Sequence, residues 1–367
     1  MKRRAFLKTG LGASAVVALG AVPRLVRAGE TPTAANPWRR FEVVTRVEIV
    51  EPRGITRAWV PIPLLSDTDY FKRGGDTWTS NAAVTRTAKD AKYDVGLVYA
   101  EWRTAEKAPL LEITSRFATR DRAVDLAAPP ARSVHEDRAV LARYLEPTKL
   151  IPTDGIVRET AQGITEGITS DAGKAQALYE WIVENTFRDP KVKGCGLGDI
   201  KTMLETRYFG GKCADLNALF VGLARAANVP ARDVYGVRCA DSAEFKSLGK
   251  SGDISKAQHC RAEFYRDGYG WVPVDPADVR KVILEEGGGL SAGLADPKAQ
   301  RARAKLFGAW EMNWLPYNYG HDVRLPNSPE ATVPFLMYPQ AETAEGRKDS
   351  LEPASFKYQI TARELKA

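Results

Sequence analysis

Between Gly210-Gly211 and Pro230 the sequence holds one amphipathic segment, in which Leu216, Leu219, Phe220, Leu223 and Ala227 recur at helical spacing. Such a stripe must be buried against a second layer, and Asn228 and Pro230 stop it abruptly. The period differs on either side. Residues 41–50 partly alternate and are β-branched, and residues 57–62 and 110–114 are similar, with Gly/Asp/Asn-rich turns between them. This pattern predicts a β-sandwich over residues 38–120, closed by a loop at Pro129-Pro130. From Thr153 the period is helical: Ala175, Leu178, Ile182 and Asn185 follow Asp171 as a cap, and Pro190 ends the run. A loop carrying Cys195 and a short helix over 199–206 come next. After the stripe helix, strands are predicted at 231–239, 258–265 and 271–275, with a polar loop over 241–256. Helices followed by antiparallel strands give an α+β core. In the tail, residues 335–338 and 356–361 read as strands placed to complete a sheet with the N-terminal domain.

The first residues carry an export pattern. Lys2-Arg3-Arg4 and Phe6-Leu7-Lys8 precede an apolar stretch over 11–22, and Val26-Arg27-Ala28 offers a cleavage site. The Arg3-Arg4 pair matches a twin-arginine signal, so the mature protein is expected to be periplasmic or otherwise exported. The alternative, a membrane anchor, is disfavoured because the stretch is short of the roughly 20 apolar residues that a span requires. The expected organisation is a signal peptide at 1–28, a β-sandwich domain at 29–148, a catalytic core at 149–285 and a C-terminal extension with strands at 286–367.

Charge excludes one class of partner. The chain has 53 basic and 46 acidic residues, but six of the basic ones lie in the leader, leaving 47 against 46. A nearly neutral mature chain gives no reason to expect nucleic acid. Four cysteines without C-x-x-C spacing, and three scattered histidines, support neither a disulfide scaffold nor a zinc site. No metal or other cofactor is expected. Cys195, Cys239 and Cys260 remain candidates for one disulfide of undetermined pairing.

Cys213 opens the stripe helix directly after Gly210-Gly211-Lys212. A thiol at a helix N-terminus meets the positive end of the macrodipole and unpaired N–H groups, which favour thiolate. The same N–H groups can serve as part of an oxyanion hole. Arg266-Asp267-Gly268 suits a three-residue hairpin loop that would pair Tyr265 with Tyr269 and set His259 opposite Asp275. Cys260 and Ala262 would then meet Val274 and Val272 on one face, while His259, Arg261, Glu263, Trp271 and Asp275 share the other. An Asp beside the imidazole fixes its tautomer and stabilises imidazolium. Thiol, imidazole and carboxylate are the parts of nucleophilic acyl transfer.

The run Gly211-Lys212-Cys213-Ala214-Asp215-Leu216-Asn217, the turn Asn228-Val229-Pro230-Ala231-Arg232, the segment His259-Cys260-Arg261-Ala262-Glu263-Phe264, and Gly270-Trp271-Val272-Pro273-Val274-Asp275-Pro276 together resemble the transglutaminase-like superfamily over residues 150–280. Asn228 stands where that family usually has Gly, and Asn also tolerates the left-handed conformation. The resemblance implies a papain-like core with Cys213 as nucleophile, His259 as base and acid, and Asp275 as orienter. It implies a cysteine peptidase or amidase acting on a peptide or protein substrate, with a cell-wall peptide among the candidates. A transglutaminase differs only in the final acceptor, and no acidic loop of calcium-site spacing is present. A non-catalytic cell-envelope binding module and a thioester-dependent acyltransferase are the other readings of the same fold. Asp215 and Asn217 are expected to be structural. Trp181, Tyr208 and Trp271, and the aromatic stretch 310–319, are expected in the core, with His135 and His321 on the surface.

Overall fold

The computed structural model describes residues 36–103, 108–130, 132–287 and 293–366; the expected signal peptide at 1–28 lies outside them. Six strands come first: β1 (Arg39–Ile49), β2 (Thr56–Pro61), β3 (Phe71–Ser80), β4 (Val84–Lys89), β5 (Gly96–Trp102) and β6 (Leu110–Thr119). Helices α1 (Arg138–Arg143), α2 (Gly155–Ile164), α3 (Asp171–Asn185), α4 (Ile200–Thr206) and α5 (Cys213–Ala226) follow. Three strands, β7 (Ala231–Arg238), β8 (Gln258–Arg266) and β9 (Gly270–Val274), lead to α6 (Pro276–Glu285) and α7 (Pro297–Lys305). The chain closes with β10 (Trp314–Asn318), β11 (Gln340–Thr343) and β12 (Phe356–Leu365).

The sandwich is built from both ends of the chain. One sheet has the order β12-β1-β6-β3 and the other β11-β2-β5-β4, each extended at its first edge by a two-residue strand. Val47, Val60, Val98, Ile113, Ala341 and Phe356 meet between them. The alternation read from β1 is the alternation of burial: Val43, Val47 and Ile49 are buried, while Val44, Arg46 and Glu48 are only half so. Residues 356–361 are a strand as expected, but 335–338 are not. Pro334 and Pro339 bracket that apolar run and cannot donate to a ladder. The Leu336 carbonyl instead accepts from Asn318 Nδ2 at 2.8 Å.

The four-stranded antiparallel sheet β9-β8-β7-β10 forms the centre. Helices cover one face, where Leu219, Phe220 and Leu223 of α5 pack on Cys260, Ala262 and Phe264 of β8. On the other face Val234 and Trp314 meet Phe41, Val43 and Phe117 of the sandwich. The fold is therefore α+β, with an antiparallel sheet held between a helical layer and a β-sandwich. α5 is buried along nearly its whole length, from Cys213 to Arg225 apart from Asp215. Asn228 ends it with φ of 64°, the left-handed conformation its sequence position called for. Cutting Phe220 back to Ala would remove its central anchor, at a cost of about 3–5 kcal/mol. No helix among the described residues is long and apolar enough to cross a membrane.

Candidate active site

The end of α5 is built by short, tight contacts. Gly210 and Gly211 pair with Phe187 and Arg188 as a two-residue parallel bridge. A Cβ on Gly211 would lie 2.6 Å from that of Asp215, so the chain can enter the helix here only as glycine. Asp215 Oδ2 accepts from Lys212 N–H at 2.9 Å, and Oδ1 accepts from the N–H groups of Leu197 and Gly198, both at 2.9 Å. The Cys195 carbonyl takes the Ala214 N–H at 2.9 Å. Among the described residues the Cys213 amide is left without a partner, available to an oxyanion. Asp215 is thus structural, as expected.

The hairpin carrying the other two residues differs from its expected register by two positions. Arg266 pairs with Gly270, and the loop is Asp267-Gly268-Tyr269. Tyr269 N–H closes the turn on Arg266 O, and Gly268 and Gly270 both have positive φ, 81° and 76°. The expected loop used only the first of these glycines. A shift of two keeps every side chain on its face, so Ala262 meets Val274 in place of Val272. His259 and Asp275 are not opposite one another. β9 ends at Val274, and Asp275 leaves the ladder to cap α6, its side chain accepting from Asp278 N–H at 3.0 Å. The helix end occupies the place that β9 vacates beside His259.

The three predicted residues nevertheless come together. His259 Nε2 lies 2.7 Å from Asp275 Oδ2. The Cys213 thiol is buried beside Cys195, Cys260 and His259, near enough for each to shift its ionisation. With Nε2 held by carboxylate, Nδ1 is the nitrogen left for sulfur. All three side chains are buried. Contacts from Cys195 and Cys260, then from His259, hold Cys213 well below the usual thiol range against the effect of burial. The neighbouring thiols move the other way: Cys213 and burial push Cys195 up, and burial and Cys213 push Cys260 up. Burial and Arg238 depress His259, but the charges of Asp278 and Asp275 outweigh them and raise it to about 9. This is the charge pattern of a thiolate–imidazolium pair.

Several contributors escaped the sequence. Asp278 Oδ2 lies 3.2 Å from His259 Nε2, and its Oδ1 accepts from Arg238 Nη2 at 2.7 Å. Arg261 Nε stands 3.7 Å from Asp275 Oδ2. Burial raises Asp275, and the adjacent Asp278 adds to the shift; Asp278 itself, despite burial, is held well below the carboxylate range by Arg238 and then His259. The signal for Asp278 was present in Asp275-Pro276-Ala277-Asp278: a capping Asp, Pro at the first helical position and a second Asp one turn on. Asn217, one turn beyond Cys213, donates to Cys260 O at 2.8 Å and Asp275 Oδ1 at 3.2 Å, tying α5 to both partners. His259, Asp275 and Asp278 offer donors within 4.8 Å of one another, a spacing that suits a metal ion. Two guanidinium groups already balance the two carboxylates, however, leaving no net negative charge to attract a cation.

All four cysteines are free and buried, so neither Cys195, Cys239 nor Cys260 is in a disulfide. Trp271 is core, stacked against Arg232 at 3.9 Å, and Trp181 packs edge-on to Phe209. Residues 310–319 are core as expected, with Trp310 and Trp314 fully buried. Tyr208 is not core: it is 54 % exposed, its hydroxyl fixed to Asp189 Oδ2 at 2.7 Å. Leu197 is 60 % exposed on the loop pinned by Asp215. These two apolar side chains stand on the two segments that converge on Cys213. His135 is exposed as expected, but His321 is buried, 3.2 Å from Asp233 Oδ2 and edge-on to the Tyr93 and Tyr235 rings.

Residues 158–276 match the family model described as the transglutaminase-like superfamily core. An uncharacterized protein of Haemophilus influenzae is 33 % identical over 372 residues, covering 96 % of this chain and 99 % of its own. The chain belongs to the transglutaminase-like superfamily. The crystal structure of a proposed cysteine protease from Cytophaga hutchinsonii aligns with 89 % of this transglutaminase-like chain and 98 % of its own, at TM-score 0.50 and 16 % identity, which shows a shared fold. The periplasmic domain of TgpA from Pseudomonas aeruginosa aligns with 70 % of this chain and 93 % of its own at TM-score 0.34 and 16 % identity, too low to carry an argument. The superfamily match spans the helix and hairpin that bring Cys213, His259 and Asp275 together.

Proposed function

We propose that this transglutaminase-like protein is an exported thiol enzyme that hydrolyses peptide or amide bonds. What supports this is the burial of the Cys213 thiol, at the tip of α5, beside an imidazole whose Nε2 is 2.7 Å from Asp275 Oδ2. The thiolate adds to the substrate carbonyl, and the oxyanion is received by the Cys213 amide. Imidazolium at His259 then protonates the departing amine, leaving a thioester on Cys213. Water, deprotonated by His259, attacks the thioester and releases a carboxylic acid and the thiol. Asp275 holds the ring in the tautomer that presents Nδ1 to sulfur. Leu197 and Tyr208 border the approach and suit an apolar segment of a peptide substrate. The twin-arginine leader at 1–28 supports export, and removal after Ala28 is expected.

The test is turnover of fluorogenic peptides and of glutamine-donor substrates, with and without an added primary amine. Release of acid without amine incorporation is expected. Incorporation would make the protein a transglutaminase. Turnover that survives Cys213→Ala removes both readings.

A further inference from the structure

The carboxylate usually assigned to such a site is one, and here there are two. Asp278 and Arg238 are both almost completely buried, at 1 % and 4 % exposure. A buried ion pair beside a catalytic ring is costly to assemble, and breaking either half leaves an uncompensated charge. His259 Nε2 carries a single N–H, which Asp275 takes at 2.7 Å; Asp278, at 3.2 Å, contributes mainly its charge. Asp275 is also divided among other tasks, capping α6, accepting from Asn217 and facing Arg261. We propose that Asp278, paired with Arg238, is a positioning residue that holds His259 as imidazolium and thereby keeps Cys213 ionised. This rests on the reading of Cys213 as nucleophile.

The charges around the pair set the sign of its effect on the ring. β7 supplies Arg238, β8 supplies Arg261 and Cys260, and α6 supplies Asp275, Asp278 and Lys281. Further out stand Asp215 on α5, Tyr179 on α3, Cys195 with Tyr338 beside it, Asp233 near Cys260, Glu311 near Arg261, and Arg188 and Glu285 near Lys281. Two carboxylates at the ring face two guanidinium groups, so the thiolate–imidazolium pair sits in a neutral setting. Without Asp278 the two cations face one anion, and Arg238 repels imidazolium directly. The ring then loses its proton more easily, and the thiolate loses its counterion.

The test is the pH dependence of Cys213 alkylation by iodoacetate, whose carboxylate makes the rate depend on imidazolium at His259 as well as on thiolate, in the full-length protein, read by peptide mass mapping so that the other thiols are resolved. In Asp278→Asn the alkaline limb, which follows His259, is expected to fall by about one pH unit or more. Adding Arg238→Met to that variant removes the unbalanced cation and is expected to move the alkaline limb back up. Arg238→Met alone should move the alkaline limb upward, opposite to Asp278→Asn, and this keeps the test decisive if Asp278→Asn does not fold. An alkaline limb at the wild-type position in folded Asp278→Asn or Arg238→Met, or a double variant whose limb lies below that of the single, overturns the proposal. A wild-type profile of an ordinary thiol instead removes the nucleophile itself.

Discussion

Cys213 and His259 set the pH range in which the site can work. Cys213 is held low by its thiol neighbours and His259, and His259 is held up at about 9 by the two carboxylates. The thiolate–imidazolium pair therefore has its upper limit at about 9 and its lower limit well below the usual thiol range. A kcat/KM profile should show its alkaline limb near 9. Replacing His259 by Ala should raise Cys213 part of the way towards the ordinary thiol value of about 8.5, because Cys195 and Cys260 still lower it, and alkylation at neutral pH should slow by up to about tenfold. The same shift has a sign for stability. Because His259 is raised above its unfolded value, its share of the stabilisation is complete below about pH 6.5 and is lost as pH rises through about 9.

At the scale of elements, the site depends on how the α5 tip, β8 and the start of α6 are tied to one another. Asn217 is the tie, since its amide reaches β8 through Cys260 O and the α6 cap through Asp275 Oδ1. Asn217→Ala leaves those acceptors unpaired in a buried setting and is expected to cost about 1–3 kcal/mol in urea unfolding. It should also lower kcat with little change in KM, because it frees the orienting carboxylate without touching the substrate rim. The loop before α4 is tied just as closely. Gly196 has φ of 91°, and a Cβ there would overlap the Asp215 carboxylate. Gly196→Ala is expected to release the Leu197 and Gly198 amides from Asp215 and to lower the melting temperature by several degrees, as about 1–3 kcal/mol of strain would.

For the whole molecule, one buried charge cluster joins the sandwich to the central sheet. Glu263 of β8 pairs with Arg232 of β7 at 2.6 Å and with Arg122, which follows β6. The Arg232 guanidinium is also stacked between Trp271 and Tyr319, each at 3.9 Å. Burial opposes the charge on Glu263, but Arg232 and Arg122 keep it below the carboxylate range. Glu263→Gln strands two buried guanidinium groups and is expected to cost about 3–5 kcal/mol. Because the cluster spans both layers, denaturation of the wild type should follow one transition by far-UV and near-UV signals, while the variant should separate them.

What could be read along the chain was whatever depends on local pattern. The apolar stripe fixed α5, Asn228-Val229-Pro230 fixed its end, and alternation fixed the faces of β8 and β9, because each arises from neighbours in sequence. The places of Cys213, His259 and Asp275 at a helix tip, a strand start and a strand end were legible for the same reason. Contacts between distant segments were not. Whether the hairpin turned on Gly268 alone or on Gly268 with Gly270, whether residues 335–338 joined a ladder, and whether His321 was buried were each decided by what packed against them. Asp278, Arg238 and Cys195 reach the ring and the sulfur from three separate elements, and only the close packing of the core, which trades exposed charge for paired charge, brought them there.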